Sequence, residues 1–295
     1  MTIKPSPMDY YFYRHNLYTI QFVFEYQGHI PSEKLSKGVQ SVTQVCPGAG
    51  SRLKIVSDTE IVLETGYQIP FRVQTLNQET PDIEKCLDPI INVEGEALVK
   101  LLLTYVPERT FVGVSFSHFL GDGSSFFQFL VTLSNIINDK PLDDDCCNER
   151  SLLEMKDTPR SSLFESTGYV SPRPPNPISY EIENLRYTFA ELSSLKENCN
   201  SSRASLSSND LIMADLAKRF HRDIPLHEGK FIIRCPVDYR SIYELPKNYF
   251  GNAVRDAVAC FDPHEIDNLS EKSPFEYGAR FNRLINTVYY SLSRL

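Results

Sequence analysis

The sequence predicts an α/β protein built in two halves, and three observations lead to that prediction. Its 295 residues exceed the usual size of a single hydrophobic core. Segments with the two-residue alternation of strands are interspersed with segments of helical spacing. A polar stretch, which contains "SPRPPNP" at 171–177, separates two ordered regions. We therefore expect an N-terminal domain at 1–141, a crossover linker at 142–179 and a second domain at 180–295.

Residue patterns in the first half of the sequence predict alternating strands and helices. In order, they are a strand at 17–26, a helix from Pro31 to Val45, a hairpin at 51–65 that turns at Ser57 and Asp58, a short helix at 81–91, strands at 97–106 and 111–118, and a helix at 124–138. The second half predicts a strand at 186–190, helices at 191–199 and 207–220, a strand at 230–240 and a terminal helix from about Pro274.

Composition excludes several classes of function. The net charge is -8, and no block of Lys and Arg is present, so nucleic acid is not an expected partner. No segment has the pattern of a signal peptide or the length of a membrane span, so no membrane partner is expected. The seven cysteines have neither a redox nor a zinc spacing, which predicts reduced cysteines, no metal site and a cytoplasmic protein. The final Ser293-Arg294-Leu295 resembles a peroxisomal address and leaves that compartment as an alternative.

The stretch "SFSHFLGDGSSFFQFL" places His118 at the end of an apolar strand and Asp122 at the start of a helix. His118 can be a general base or a half-buried histidine whose nitrogens are simply satisfied. Asp122 can act in the site or merely cap the helix. Gly121 and Gly123 can belong to the site or simply let a tight turn adopt positive φ. The glycine patterns that bind phosphate are absent.

This combination resembles the BAHD acyltransferases. H-x-x-x-D-G, here His118 to Gly123, is similar to the active-site signature of that family. Four other stretches are similar to family segments in the same order: "SPMDYYF", "CPGAGSRL", "LSSNDLIMADLAK" and "PVDYRSIYELPKNYFGNAV". The family's later Asp-Phe-Gly-Trp-Gly signature is missing, and the sequence has no Trp, so the chain resembles an acyltransferase without its C-terminal third.

The resemblance implies two chloramphenicol-acetyltransferase-like domains with mixed β-sheets and flanking helices, the second incomplete, which meet around a tunnel. It implies acyl transfer from acyl-CoA, as a co-substrate, to a small alcohol or amine, with no permanently bound cofactor and a monomer when full length. His118 is the implied general base. Asp122 and Gly123 order the turn, and Asp122 pairs with Arg240. Gly251 and Asn252 line the substrate channel.

Two alternatives remain open at this point. The chain can be a truncated, catalytically inactive homologue that binds a partner. It can also be a relative of condensation domains, which share H-x-x-x-D-G but usually carry a second His before it, where this chain has Ser117.

Overall fold

The computed structural model describes residues 2–13, 19–57, 60–142, 145–153, 185–199, 231–241 and 243–261, with scattered positions between 207 and 219. The chain divides into two compact units: unit 1 contains Met1–Met155 and Asp238–Val254, and unit 2 contains Lys156–Val237 and Arg255–Leu295. The short segment 238–254 thus belongs with the N-terminal region, although the sequence predicted it in the second domain. The domain boundaries themselves stay predictions.

Unit 1 contains two β-sheets and three α-helices among the described residues. In chain order these elements are β1 (Thr2–Ile3), α1 (Pro7–Tyr13), β2 (Thr19–Gln27), α2 (Ser32–Val45), β3 (Arg52–Ser57), β4 (Glu60–Glu64), β5 (Phe71–Thr75), β6 (Val99–Val106), β7 (Arg109–Ser117) and α3 (Gly123–Ile137). The smaller sheet has the order β1-β4-β3, and the larger sheet has the order β2-β7-β6-β5. The larger sheet is mixed, because β5 pairs parallel to β6 whereas the other pairs are antiparallel.

The β6–β7 hairpin is the centre of the larger sheet. Pro107 and Glu108 connect its strands, and Glu108 has a φ of 66°, the left-handed conformation that follows proline in a type II turn. Residues 110–117 of β7 are all buried. Burial on both faces makes this strand a rigid support for whatever follows it.

Helices α2 and α3 cover one face of this sheet. Their apolar positions recur at helical spacing, so each helix turns one continuous stripe toward the strands. The stripes comprise Leu35, Val39 and Val42 of α2 and Phe126, Phe129 and Leu133 of α3. At Gly38 a Cβ atom would lie 2.5 Å from Ile137 Cγ1, so the glycine permits the close approach of the two helices.

The predicted elements of the first half are confirmed with small shifts at their ends. The strand predicted at 17–26 is β2, the predicted hairpin is β3–β4, and the helix predicted at 124–138 is α3. The short helix predicted at 81–91 is a single 3₁₀ turn at Ile83–Cys86. Within the described ranges, no helix combines the length and apolar character that a membrane span needs.

A disulfide corrects the expectation that all cysteines are reduced. Cys46, at the end of α2, is bonded to Cys146, and their Cα atoms are 4.9 Å apart. The 100-residue separation between them gave no pairing signal in the sequence. The adjacent Cys147 is a free thiol whose backbone N–H donates to Asn248 and whose carbonyl accepts from Phe250. The bonded segment therefore braces residues 248–250.

Unit 2 contains α4 (Phe189–Cys199) and all but one residue each of β8 (Phe231–Asp238) and β9 (Val254–Phe261), since Asp238 and Val254 belong to unit 1. Strands β8 and β9 form a two-stranded sheet. The strand predicted at 186–190 is wrong, because Phe189 and Ala190 already belong to α4. Thr188 and Glu191 form a capping box, in which each side chain accepts a hydrogen bond from the other's backbone N–H. Most of the predicted linker and the terminal helix from Pro274 lie outside the described residues.

Candidate active site

The central feature of the site is the turn that joins β7 to α3. β7 ends at Ser117, so His118 lies just beyond the strand that was predicted to include it. α3 begins at Gly123, and Asp122 caps it by accepting a hydrogen bond from the Ser125 backbone N–H at 3.0 Å. A buried strand and a capped helix thus fix both ends of the turn.

Asp122 also forms an ion pair with Arg240. Arg240 Nη2 donates to Oδ1 at 2.8 Å, and Nη1 donates to Oδ2 at 2.9 Å. Oδ2 accepts a further hydrogen bond from the Ala253 backbone N–H at 2.8 Å. The side chains are 6% and 12% exposed, and the bidentate geometry offsets the cost of burying both charges. The pairing implied by the resemblance is therefore present, together with the helix cap.

Arg240 extends this brace to the segment at 249–252. Its Nη2 donates to the carbonyl of Gly251 at 2.9 Å, and its Nη1 donates to Asp238 Oδ2 at 3.1 Å. Burial lowers the pKa of Arg240, but the hydrogen bond and charge of Asp122 outweigh that effect, and the net pKa is raised. The guanidinium stays charged and holds two distant stretches of chain together.

The two glycines of the turn differ in what their surroundings require. Neither Gly121 nor Gly123 has a positive φ. A Cβ at Gly121 would lie 2.8 Å from Ser125 Cβ, so this glycine serves close packing. A Cβ at Gly123 would meet no atom within 4 Å, so nothing in its surroundings requires glycine. The predicted ordering role of Gly123 thus has no packing contact to support it.

His118 is half-buried, and two contacts of its ring lie among the described residues. The Phe12 ring stacks on the imidazole, with centroids 3.7 Å apart and an angle of 13° between the planes. The Nδ1 atom lies 3.0 Å from Asn252 Oδ1. Phe12 lies on α1 and Asn252 is the last residue of the Tyr-Phe-Gly-Asn motif, so segments far apart in sequence position one ring.

The hydrogen bonds of Asn252 determine which nitrogen of His118 carries the proton. The amide nitrogen of Asn252 donates to Asp9 Oδ1 at 2.7 Å and to the backbone carbonyl of His118 at 2.8 Å. Both partners are acceptors, so the amide nitrogen must face them and Oδ1 must face the ring. An acceptor at 3.0 Å requires a proton on Nδ1. The neutral ring therefore has its basic lone pair on Nε2.

The environment of His118 favours this neutral form. Burial lowers its pKa below the ordinary value of 6.5, and this effect outweighs the carboxylates of Asp122 and Asp9, which act in the opposite direction. A lower pKa means that a larger fraction of the ring is uncharged near neutral pH. An uncharged imidazole can accept a proton, which is the requirement for a general base.

Asp9 lies within the "SPMDYYF" stretch but was not among the predicted site residues. In "SPMD", Ser6 and Asp9 form a capping box for α1, with Pro7 at the first helical position. Asp9 is fully buried, and its Oδ2 accepts hydrogen bonds from the N–H and hydroxyl of Ser6. Its other oxygen binds Asn252, so the cap also orients the residue that touches His118.

Arg150 was missed altogether, because no motif surrounds it. It lies in a 3₁₀ turn at Arg150–Leu153, is 4% exposed, and donates from Nη2 to the carbonyl of Leu120 at 2.6 Å. Its Nε is 3.5 Å from Asp9 Oδ2. Arg150 therefore connects the turn of His118 with the carboxylate behind Asn252.

Gly251 and Asn252 are both buried in the structure, with Asn252 at 0% exposure. A Cβ at Gly251 would lie 1.2 Å from Arg150 Nη1, so glycine is required there by close packing. The predicted channel-lining role of both residues stays a prediction. Among the described residues, no group of three or more His, Cys, Asp or Glu side chains is placed to hold a metal ion.

The fold and the H-x-x-x-D-G turn are features of a class of acyltransferases to which this chain is similar. Residues 108–273 match the model of the Transferase family, more than half of the chain, and the protein belongs to that family. A curated relative, Acyltransferase GLAUCE of Arabidopsis thaliana, is 25% identical over 236 residues, which cover 72% of this chain and 51% of the relative. The chain spans about half the length of that relative. The resemblance to BAHD-type acyltransferases is confirmed.

Solved structures show the same fold at low sequence identity. TRI101 of F. sporotrichioides, complexed with coenzyme A and T-2, matches with a TM-score of 0.71 and 14% identity, over 99% of this chain and 76% of that chain. Vinorine synthase matches with a TM-score of 0.59 and 17% identity, over 92% and 71%. A condensation domain of the polyketide synthase MokA matches with a TM-score of 0.65 and 13% identity, over 98% and 74%. The predicted chloramphenicol-acetyltransferase-like fold is confirmed.

Proposed function

We propose that this chain carries the catalytic histidine of an acyltransferase that moves an acyl group from a coenzyme A thioester to a hydroxyl or amine acceptor. The observation on which the proposal rests is the hydrogen bond from His118 Nδ1 to Asn252 Oδ1, which puts the basic lone pair on Nε2. The TRI101 structure with coenzyme A and T-2 supports the choice of donor and of a small-molecule acceptor.

The reaction is a direct transfer with His118 as the general base. Nε2 accepts the acceptor's proton while the acceptor oxygen or nitrogen forms a bond to the thioester carbonyl carbon. The carbon–sulfur bond then breaks, the sulfur leaves with the electron pair, and the imidazolium returns its proton to the thiolate. A thiolate, whose parent thiol has a pKa of about 8.5, leaves far more readily than an alkoxide. Positioned base catalysis supplies about 10²- to 10⁴-fold of the rate.

Asp122 has a structural role in this mechanism. In the described part of the chain, its carboxylate accepts hydrogen bonds from Arg240 and from backbone N–H groups, and these contacts hold the turn against α3 and residue 253. The carboxylate therefore positions His118 by fixing the backbone of the turn that carries it, and transfers no proton.

The proposal is tested by measuring thiol release from acetyl coenzyme A with a panel of alcohols and amines. We compare the wild-type chain, His118→Ala and the control His29→Ala. The exposed ring of His29 contacts Val106 and Tyr105 next to the turn of the β6–β7 hairpin, at the opposite end of β7 from His118. Acceptor-dependent release by the wild type and by His29→Ala, lost in His118→Ala, is the expected result. Release that persists in His118→Ala would refute the base assignment.

A non-catalytic binding protein is the second candidate, because the Asn252 hydrogen bond and the Phe12 stack give His118 a structural role that needs no substrate. The same assay separates the two candidates. Folded wild-type chain that releases no thiol with any acceptor favours the binding protein. In that case the hydrogen bonds around His118 are structural.

A further inference from the structure

We propose that Arg150 and Asp9 are positioning residues for His118: this second buried ion pair fixes the Asn252 amide and balances the charge beside the imidazole. The inference rests on the proposed function in one respect, since it assigns the pair a role in maintaining the base. Asp9 is at 0% and Arg150 at 4% exposure, and neither touches the reacting atoms through any contact described above.

A continuous chain of contacts leads from Arg150 to the imidazole. Arg150 Nε approaches Asp9 Oδ2 at 3.5 Å, Asp9 Oδ1 accepts from Asn252 Nδ2 at 2.7 Å, and Asn252 Oδ1 faces His118 Nδ1 at 3.0 Å. Each link dictates the next, because a carboxylate can only accept and a guanidinium can only donate. Asp9, together with the backbone carbonyl of His118, therefore fixes the amide orientation of Asn252, and that orientation fixes the tautomer of His118.

Arg150 also holds the turn of His118 directly. Its Nη2 donates to the carbonyl of Leu120, two residues beyond the histidine, at 2.6 Å. Its guanidinium lies 5.8 Å from the ring centroid of Tyr249. One side chain thus contacts three parts of the site: α1 through Asp9, the turn through Leu120 and the Tyr-Phe-Gly-Asn segment through Tyr249.

The charges around His118 are arranged as two opposed pairs. The carboxylates whose charge reaches the ring are Asp9 on α1 and Asp122 at the start of α3. Arg240 neutralises Asp122, and Arg150 is the cation beside Asp9. The two described ring contacts, Phe12 and the Asn252 amide, are uncharged groups. Removal of Arg150 alone leaves the Asp9 carboxylate, which Asn252 links to the imidazole, without its counter-charge, and removal of Asp9 alone leaves the buried guanidinium without its counter-charge.

The test is an NMR titration of the His118 ring in the full 295-residue chain, labelled with ¹³C at the imidazole and assigned with His118→Gln. Arg150→Met leaves the Asp9 carboxylate uncompensated and should raise the pKa of His118 by roughly 0.5 to 1 unit. Asp9→Asn leaves the guanidinium uncompensated and should lower the pKa by a similar amount. The double variant should return it to near the wild-type value.

Shifts of the His118 pKa in opposite directions in the two single variants, which cancel in the double variant, support the proposal. A merely structural defect would not shift the pKa in a direction that depends on the sign of the removed charge. Shifts of the same sign, or no shift in either single variant, overturn it. Arg150→Lys is the conservative control: it keeps the charge, so the pKa of His118 should stay near the wild-type value even when chemical unfolding shows lower stability.

Folding of the variants is itself informative. When a single variant does not fold, the double variant is expected to be more stable than either single variant, because no unpaired charge remains buried. A double variant no more stable than the worse single variant contradicts the pairing. The titration needs no substrate, so a chain without acyl transfer would refute the proposed function while the pKa shifts still decide this inference.

Discussion

The two buried ion pairs beside His118 differ in how completely they are bonded. Asp122 and Arg240 make two hydrogen bonds of 2.8 and 2.9 Å, and further donors and acceptors surround both partners. Asp9 and Arg150 approach at 3.5 Å, and Arg150 Nε and Nη1 have no hydrogen-bond partner in the described part of the chain. The Asp122–Arg240 pair thus has its hydrogen-bonding groups satisfied, whereas the Asp9–Arg150 pair leaves two guanidinium nitrogens without a described partner. The Asp9–Arg150 pair is also the one that Asn252 connects to the imidazole.

This difference in hydrogen bonding indicates that the two ion pairs support the site in different ways, one through stability and the other through the chemistry of the histidine. A saturated bidentate pair fixes the backbone, so its loss is expected mainly in the free energy of unfolding. A looser pair connected to the base controls protonation and amide orientation, so its loss is expected mainly in the chemistry. The predictions below test this division, and the largest expected effect comes first.

Asp122→Asn should lower the free energy of unfolding by about 3–5 kcal/mol, because it leaves the Arg240 guanidinium buried without its counter-charge. Urea unfolding followed by circular dichroism measures the change. The matched control is Glu25→Gln, which breaks the exposed pair with Arg109 and should cost under about 1 kcal/mol. Full stability of Asp122→Asn with lost turnover would give Asp122 a chemical role and remove the distinction between the pairs.

Asn252→Ala should reduce kcat about 10- to 100-fold with a smaller change in KM, because the ring loses the acceptor that keeps the proton on Nδ1. Steady-state thiol release provides both constants. Asn92→Ala is the control, since Asn92 binds the hydroxyl of Ser117 beside the turn but not the ring. An equal loss of kcat in the two variants would show that activity falls because the turn is loosened in general, and not because the contact with the ring is lost.

Three glycine-to-alanine variants probe packing around the two pairs. Gly251→Ala forces Cβ against Arg150, and Gly121→Ala forces it against Ser125, so each should cost about 1–3 kcal/mol of stability. Gly123→Ala meets open space and should stay within about 0.5 kcal/mol of the wild type. Thermal unfolding of all three measures the order. A large loss in Gly123→Ala would restore the ordering role that the resemblance implied for it.

The pH dependence of kcat/KM gives the smallest expected effect. Burial lowers the pKa of His118 below the ordinary value of 6.5, so the neutral base persists to more acidic pH. The acidic limb of the profile should therefore have its midpoint below pH 6.5. A midpoint above 6.5 would mean that the carboxylates of Asp9 and Asp122 dominate the ring, contrary to the charge balance described here.

Local patterns predicted much of the fold and part of the site. The β6–β7 hairpin and α3 follow from alternation and helical spacing, because both are buried against one core. The strand prediction at 186–190 failed because the Thr188–Glu191 capping box was not recognised beside the aromatic residues. The Asp122–Arg240 pair came from the family resemblance, since 118 residues separate its partners.

The sequence did not predict contacts between distant residues that lie outside any recognisable motif. Arg150 lies in a polar stretch predicted as a linker, and only the folded chain brings it to Asp9 and Leu120. The Cys46–Cys146 disulfide has the same origin, because loop closure over 100 residues leaves no local signature. Side chains that act through tertiary contacts are thus the part of the site that one sequence does not reveal.

The ¹⁵N chemical shifts of the His118 ring at pH 7.5 test the account most directly, because they report which nitrogen carries the proton. The hydrogen bonds of Asn252 predict a protonated Nδ1 and an unprotonated Nε2, with that preference lost in Asn252→Ala. A ring protonated on Nε2 would have no lone pair there to accept the acceptor's proton, and would contradict the assignment of His118 as the base.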